Sequence, residues 1–165
     1  MKLREYQEKD SAIICGWIED EISLHQWSAD RIEKFPLDEN ALNEYYASAA
    51  GKQRIIPLTA VDDRDRLAGH LHIRYPNDDQ RLVRFGLVIL NPKLRGQGNG
   101  KEMLRLAIDY AEKVLGASRI TLGVFTENSS AKGCYESVGF RPIGKTELYQ
   151  MPVGEWECTE MELAR

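Results

Sequence analysis

The stretch Leu82-Val83-Arg84-Phe85-Gly86-Leu87-Val88-Ile89-Leu90-Asn91-Pro92-Lys93-Leu94-Arg95-Gly96-Gln97-Gly98-Asn99-Gly100-Lys101 passes from an apolar run, through three glycines, into a helical pattern. Leu82 to Leu90 reads as a strand. Gly100 to Leu115 reads as a helix, with Met103, Leu104, Ala107, Ile108 and Ala111 on one face and Gly116 as its stop. Glycines at such a junction let backbone N–H groups approach an anion, and the helix start adds the positive end of its dipole. The junction therefore has the form of a phosphate cradle, although glycine turns also serve as plain structural corners.

Two familiar cradles are excluded. A Walker A loop needs glycine where Arg95 stands and Ser or Thr where Glu102 stands. A GxGxxG dinucleotide fingerprint starting at Gly96 or Gly98 needs glycine at Lys101 or Met103.

Downstream, Arg119 to Phe125 reads as a buried strand, so strand, helix and strand form a βαβ unit whose strands are parallel. A shorter helix, Ser129 to Ser137, follows, and Arg141 to Arg165 reads as a closing hairpin whose alternating acids face solvent. Upstream, Ile55 to Val61, Leu67 to Tyr75 and Leu82 to Leu90 form an antiparallel meander. Before them the spacing of Ile13, Ile14, Trp17, Ile18 and Ile22 predicts one helix capped at Asp10-Ser11, with Glu19-Asp20-Glu21 in solvent. A polar loop, His25 to Asp30, then leads to a second helix over about Asp38 to Ala50.

The chain has 165 residues, 42% hydrophobic and 29% charged, which suits a single domain over 1–165. It lacks an apolar run long enough to span a bilayer and lacks the features of a signal peptide, so a cytoplasmic location is expected. Cys15, Cys134 and Cys158 are an odd, scattered set that fits reduced thiols. The formal net charge of -4 gives no footprint for nucleic acid and favours a cationic partner mildly, if at all.

Arg95-Gly96-Gln97-Gly98-Asn99-Gly100 resembles the acetyl-CoA motif R/Q-x-x-G-x-G/A of the GNAT N-acetyltransferases. Asn128 to Phe140 resembles that family's N-x-x-A-x-x-x-Y-x-x-x-G-F segment, carried by Asn128, Ala131, Tyr135, Gly139 and Phe140. The first 50 residues, with Trp17 and Trp27, look more like its ribosomal-protein N-acetyltransferase branch. The resemblance implies an α/β fold: a mixed, mostly antiparallel twisted sheet of six or seven strands, flanking helices and a central parallel βαβ unit. It also implies an acetyl-CoA-dependent transfer to a primary amine, with acetyl-CoA as cosubstrate and no metal.

On the same grounds, the backbone of Val88, Ile89 and Leu90 pairs with the pantetheine arm and aims an N–H at the thioester oxygen. Main-chain N–H groups from Gly96, Gln97, Gly98, Asn99, Gly100 and Lys101 hold the pyrophosphate, with charge from Arg95 or Lys101, though Lys101 could equally be a solvated lysine. Asn128 bonds the cofactor arm or caps the following helix. Tyr135 is the implied general acid for the departing thiolate; outside the motif a helical tyrosine would be read as packing.

The acid that some relatives carry before Asn128 would fall at Gly123, so the base is open between His70 and His72 on one strand face, His25, Glu127 and a water relay. The acceptor is open among a protein N-terminus, a polyamine, an aminoglycoside and a small metabolite, with Trp27 as a pocket candidate and Trp17 as core. A homodimer through the hairpin's edge is expected to be available. The competing reading is a non-catalytic acyl-CoA-binding regulatory module, supported only by Gly123.

Overall fold

The computed structural model describes residues 1–164. In chain order the elements are β1 (Lys2–Glu5), α1 (Asp10–Cys15), α2 (Glu21–Ser28), α3 (Ala41–Ala49), β2 (Ile55–Val61), β3 (Leu67–Arg74) and β4 (Leu82–Leu90). A short 3₁₀ turn (Pro92–Leu94) leads to α4 (Asn99–Lys113), β5 (Arg119–Phe125), α5 (Ser129–Ser137), β6 (Phe140–Met151) and β7 (Gly154–Leu163). The seven strands make one sheet in the order β1-β2-β3-β4-β5-β7-β6. Only β4 and β5 run parallel; the other neighbours are antiparallel.

Two apolar layers flank this sheet. On one face, Met103, Leu104, Ala107 and Ala111 of α4 pack with Tyr135 of α5 against Leu71, Val83, Phe85 and Leu122. On the other, Ile14, Leu24 and Leu42 from α1, α2 and α3 pack against Leu87 and Ile89. Each fully buried side chain of this size contributes about 1.5–3 kcal/mol.

The bounds of β2, β4, β5 and α5 coincide with those expected from the sequence, and the meander and parallel βαβ unit are present. The N-terminal region departs from expectation. The single helix is two, because Gly16 ends α1 and Asp20 starts α2 through a capping box, its carboxylate accepting from the Ser23 amide at 2.7 Å. Ile13 and Ile22, read as members of one apolar stripe, are about half exposed as a result. His25 to Ser28 is helix rather than loop.

Strand β1, for which no element was expected, pairs with β2 along Lys2–Glu5 and Leu58–Val61. In the closing hairpin only some of the acids are solvated: Glu160 and Glu162 pair with Arg84 and Arg119. That hairpin was read as far as Arg165, which lies outside the described residues.

A buried carboxylate fixes β1 and α1 to the sheet. Asp10 is wholly buried and accepts from Arg4 at 2.7 and 2.9 Å, from the Gln7 amide at 3.0 Å and from the Thr59 hydroxyl at 3.0 Å. Burial works to raise its carboxyl, but the bonds from Arg4, Gln7 and Thr59 prevail and hold it below the ordinary aspartate value. A depressed folded-state value stabilises the protein above the unfolded carboxyl's pKa, and that contribution disappears as pH falls through the folded one. Asp10→Asn should lower the unfolding free energy at pH 7 by about 3 kcal/mol. It should also flatten the acid limb of the stability curve, measured by urea unfolding across pH.

Candidate active site

The parallel register between β4 and β5 covers only Leu82, Val83 and Arg84 against Arg119, Ile120 and Thr121. Beyond it the strands part. On the β3 side, His70 opposes Ile89 while His72 opposes Gly86, so two residues of β4, Leu87 and Val88, answer one of β3, Leu71. This is a bulge. Leu87 within it has φ +47°, a left-handed conformation that a branched, buried side chain seldom takes. Val88, Ile89 and Leu90 therefore present a strand edge that β5 does not cover.

The gap is a cleft of about 870 Å³. Val88 to Leu90 form one wall, and Gly123, Val124 and Phe125 of β5, with Asn128 and Tyr135 beyond, form the other. At one end lies the glycine junction. Gly96 and Gly98 have φ of +72° and +85°, and an added Cβ at either would meet nothing within 4 Å, so the backbone conformation rather than crowding demands glycine. None of the amides from Gly96 to Lys101 donates to an acceptor among the described residues; the first helical bond of α4 is from the Glu102 amide to Gly98. Six successive free donors at a helix start have the form of an anion cradle.

Arg95, Gly96, Gly98, Gly100 and Lys101 line the cleft. Gln97 and Asn99 do not: their side chains fold back to the carbonyls of Lys93 and Leu94, each at 3.0 Å. Only their main-chain amides remain for a ligand.

Asn128 lines the cleft and also caps α5, its Oδ1 accepting from the Ala131 amide at 3.2 Å. Of the two alternatives the helix cap is the one observed, and it commits the carboxamide oxygen while leaving the NH₂ group over. Tyr135 is 8% exposed and lines the cleft, and its hydroxyl has no hydrogen-bond partner among the described residues. Burial, reinforced by the nearby Cys134 and Cys158, pushes this phenol well above its usual range, so it carries its proton at neutral pH.

The histidines considered as bases do not reach the cleft. His70 and His72 are wholly buried on the α1–α3 side of β3, where the Tyr46 hydroxyl stands 2.7 Å from His70 Nε2 and 3.4 Å from His72 Nδ1. Burial drives His70 down to about 3 and His72 well below its usual value, so both stay neutral. Gly86 belongs to this packing: a Cβ there would sit 2.4 Å from His72 Nε2. His25 is buried in α2 with Nδ1 3.0 Å from the Ala29 carbonyl, and Glu127 is exposed away from the cleft.

Gly123 has a structural reason to carry no side chain. A Cβ there would lie 2.7 Å from Arg84 Nη2 and 2.9 Å from Cys158 Sγ. The space belongs to a bidentate ion pair between Arg84 and Glu160, the latter directly opposite Gly123 on β7. Neither partner was singled out from the sequence, since a pairing across three strands leaves no local pattern. Trp27 lines the cleft as expected; Trp17, read as core, lines it too.

Among the described residues no group of three or more His, Cys, Asp or Glu could hold a metal ion, and no helix is long and apolar enough to cross a membrane. The model of the Acetyltransferase (GNAT) family matches residues 18–140. An N-acetyltransferase 9-like protein of Nematostella vectensis is 22% identical over 156 residues, covering 88% of this chain and 76% of that one. A mycothiol acetyltransferase of Renibacterium salmoninarum is 31% identical over 115 residues, 67% of this chain but 32% of its own length. The same fold occurs in the crystal structure of spermidine N-acetyltransferase from Vibrio cholerae in complex with CoA and spermine, with a TM-score of 0.80 and 22% identity over 98% of this chain and 93% of that one.

If the cradle depends on the left-handed backbone at Gly98, Gly98→Ala will weaken CoA binding by about 1–2 kcal/mol, roughly 5- to 30-fold. Titration calorimetry measures this, and the thermal unfolding of the unliganded variant shows whether the loss is local.

Proposed function

Because the chain belongs to the GNAT acetyltransferase family and is an acetyl-CoA-dependent N-acetyltransferase, we propose that it moves the acetyl group directly onto a primary amine, with Tyr135 as general acid. The observation that carries this reading is the placement of six unpaired amides, an uncovered strand edge and an unpaired phenol around one cleft.

Acetyl-CoA supplies a thioester whose carbonyl carbon accepts the amine and whose sulfur leaves. The amides from Gly96 to Lys101, with Arg95, hold the pyrophosphate, and the edge of Val88, Ile89 and Leu90 takes the pantetheine arm as an added strand. An N–H of the same edge faces the oxygen where negative charge develops. The amine nitrogen forms its bond to the acetyl carbon as the carbon–sulfur bond breaks. Tyr135 gives its proton to sulfur, and the nitrogen's proton passes through water to restore the phenol.

The carboxylates lining the cleft among the described residues are Glu19 and Asp20, at its rim, and Asp20 is occupied in capping α2. With no buried base at hand, the amine reacts in its neutral form. At pH 7 about one in ten molecules of an α-amine of pKa near 8 is neutral, against roughly one in several thousand for a lysine-like amine.

We read residues 1–165 as one N-acetyltransferase domain, supported by the continuity of the sheet from β1 to β6. The three free cysteines support work in a reducing cytosol. Strand β6 at the sheet edge, with Leu148 60% exposed, supports pairing of two copies.

The test is CoA release from acetyl-CoA, followed with a thiol reagent over a panel of amines. Tyr135→Phe should lower kcat by about 10²–10³-fold with CoA affinity retained. For the wild type, kcat/KM should climb with pH up to the acceptor's own pKa without a histidine-like step near 6.5, since His70 and His72 remain neutral throughout. CoA binding without release on any amine would favour a regulatory module instead.

A further inference from the structure

On the α1–α3 face of the sheet, Arg74 of β3 and Arg84 of β4 are direct cross-strand partners. Like charges opposed in this way destabilise a sheet, and such a pair persists where something of opposite sign compensates. Arg84 has Glu160. The Arg74 side chain has no hydrogen bond or ion pair among the described residues, and its Nε is buried without an acceptor. Arg31, just after α2, lines the cleft beside Arg84, lies within electrostatic reach of Arg74 and Tyr149, and likewise has no anionic partner among the described residues.

Three guanidinium groups thus share one carboxylate. Burial first, then the like charges of Arg31 and Arg84, pull Arg74 down to about 10. Trp27, also lining the cleft, adds a buried indole N–H with no acceptor. This part of the cleft is rich in donors and poor in acceptors. The junction that collects phosphate lies at the other end of β4, so the surplus belongs to the acceptor side.

We propose that the acceptor amine also carries an anionic group, a carboxylate or a phosphate, which Arg31 and Arg84 on the cleft wall hold while the amine faces the thioester, with Arg74, the cross-strand partner of Arg84, adding positive charge. The proposal rests on the amine-acetylation reading. A planar fork of N–H donors suits either anion, by paired charge-assisted hydrogen bonds. A polycation such as spermidine would bring its ammonium groups against the arginines and find only Glu19 uncommitted among the carboxylates of the cleft rim.

The experiment uses matched acceptors in the CoA-release assay: amino acids against their carboxamides, aminoalkyl phosphates against the corresponding amino alcohols, and spermidine. The anionic member of a pair should be preferred by about tenfold or more in kcat/KM, chiefly through KM, and the ratio should fall towards one in Arg31→Gln. Which pair shows the larger ratio identifies carboxylate or phosphate.

A second arm is independent of turnover. Malonate or inorganic phosphate, added to the CoA-bound protein at constant ionic strength, should raise its Tm in the wild type and not in Arg31→Gln or Arg74→Gln. Preference for carboxamides, amino alcohols or spermidine overturns the proposal, as does the absence of any anion-dependent Tm shift. Should no amine release CoA, the transfer reading fails and the melting arm alone decides the anion site.

Discussion

Strands β4 and β5 cannot pair for their whole length once Leu87 takes a left-handed turn, and the site is a consequence of that constraint. Three register pairs hold the parallel strands together, and beyond them each goes its own way. The strain at Leu87 is compensated by the packing of its side chain among α1, α2 and α3. What the bulge leaves behind is a row of backbone groups that a sheet would ordinarily consume, and the glycine junction continues the row into the start of α4. The exposed edge is main chain, which leaves the side chains of Val88 and Ile89 free to pack on either face of the sheet.

Charge is distributed along this cleft with the same economy. The glycine junction offers partial charges from amides, whereas the opposite end offers full charges from arginine. Between them lie Tyr135, protonated through burial, and Gly123, kept bare by the Arg84–Glu160 pair beneath it. The titratable cluster one layer further in takes no part. The Tyr46 hydroxyl bridges His70 and His72 and ties α3 to β3, and burial keeps both imidazoles neutral at pH 7.

The parts legible in the sequence were those in which a local pattern and its structural cause coincide. β4 and β5 are short apolar runs between breakers, and Asn128 caps the helix that carries Tyr135, so the elements bordering the cleft could be placed in advance. β1 was missed because four residues carry no periodicity, and their strand character comes from pairing with β2. The break between α1 and α2 was written at Asp20 and Ser23, but the continuous isoleucine spacing across it reads more strongly than one capping pair. Histidine at alternate positions of a strand looks the same whether its face meets a cleft or a packed helix, and only α3 decides that for His70 and His72. The Arg74–Arg84–Glu160 arrangement spans three strands, and no window along the chain contains it.

The narrow join between β4 and β5 has a mechanical side. The sheet is in effect two plates, β1 to β4 and β5 to β7, seamed along three residues on each side and braced by α4 and α5. A molecule that lies along the open edge of β4 and touches α5 spans the seam, and it does so only in the folded chain. By mass action, such a molecule at about a hundred times its dissociation constant adds about 2.7 kcal/mol to the resistance against unfolding. A ligand in the cleft would therefore act as a clamp between the two plates as well as an occupant of the site.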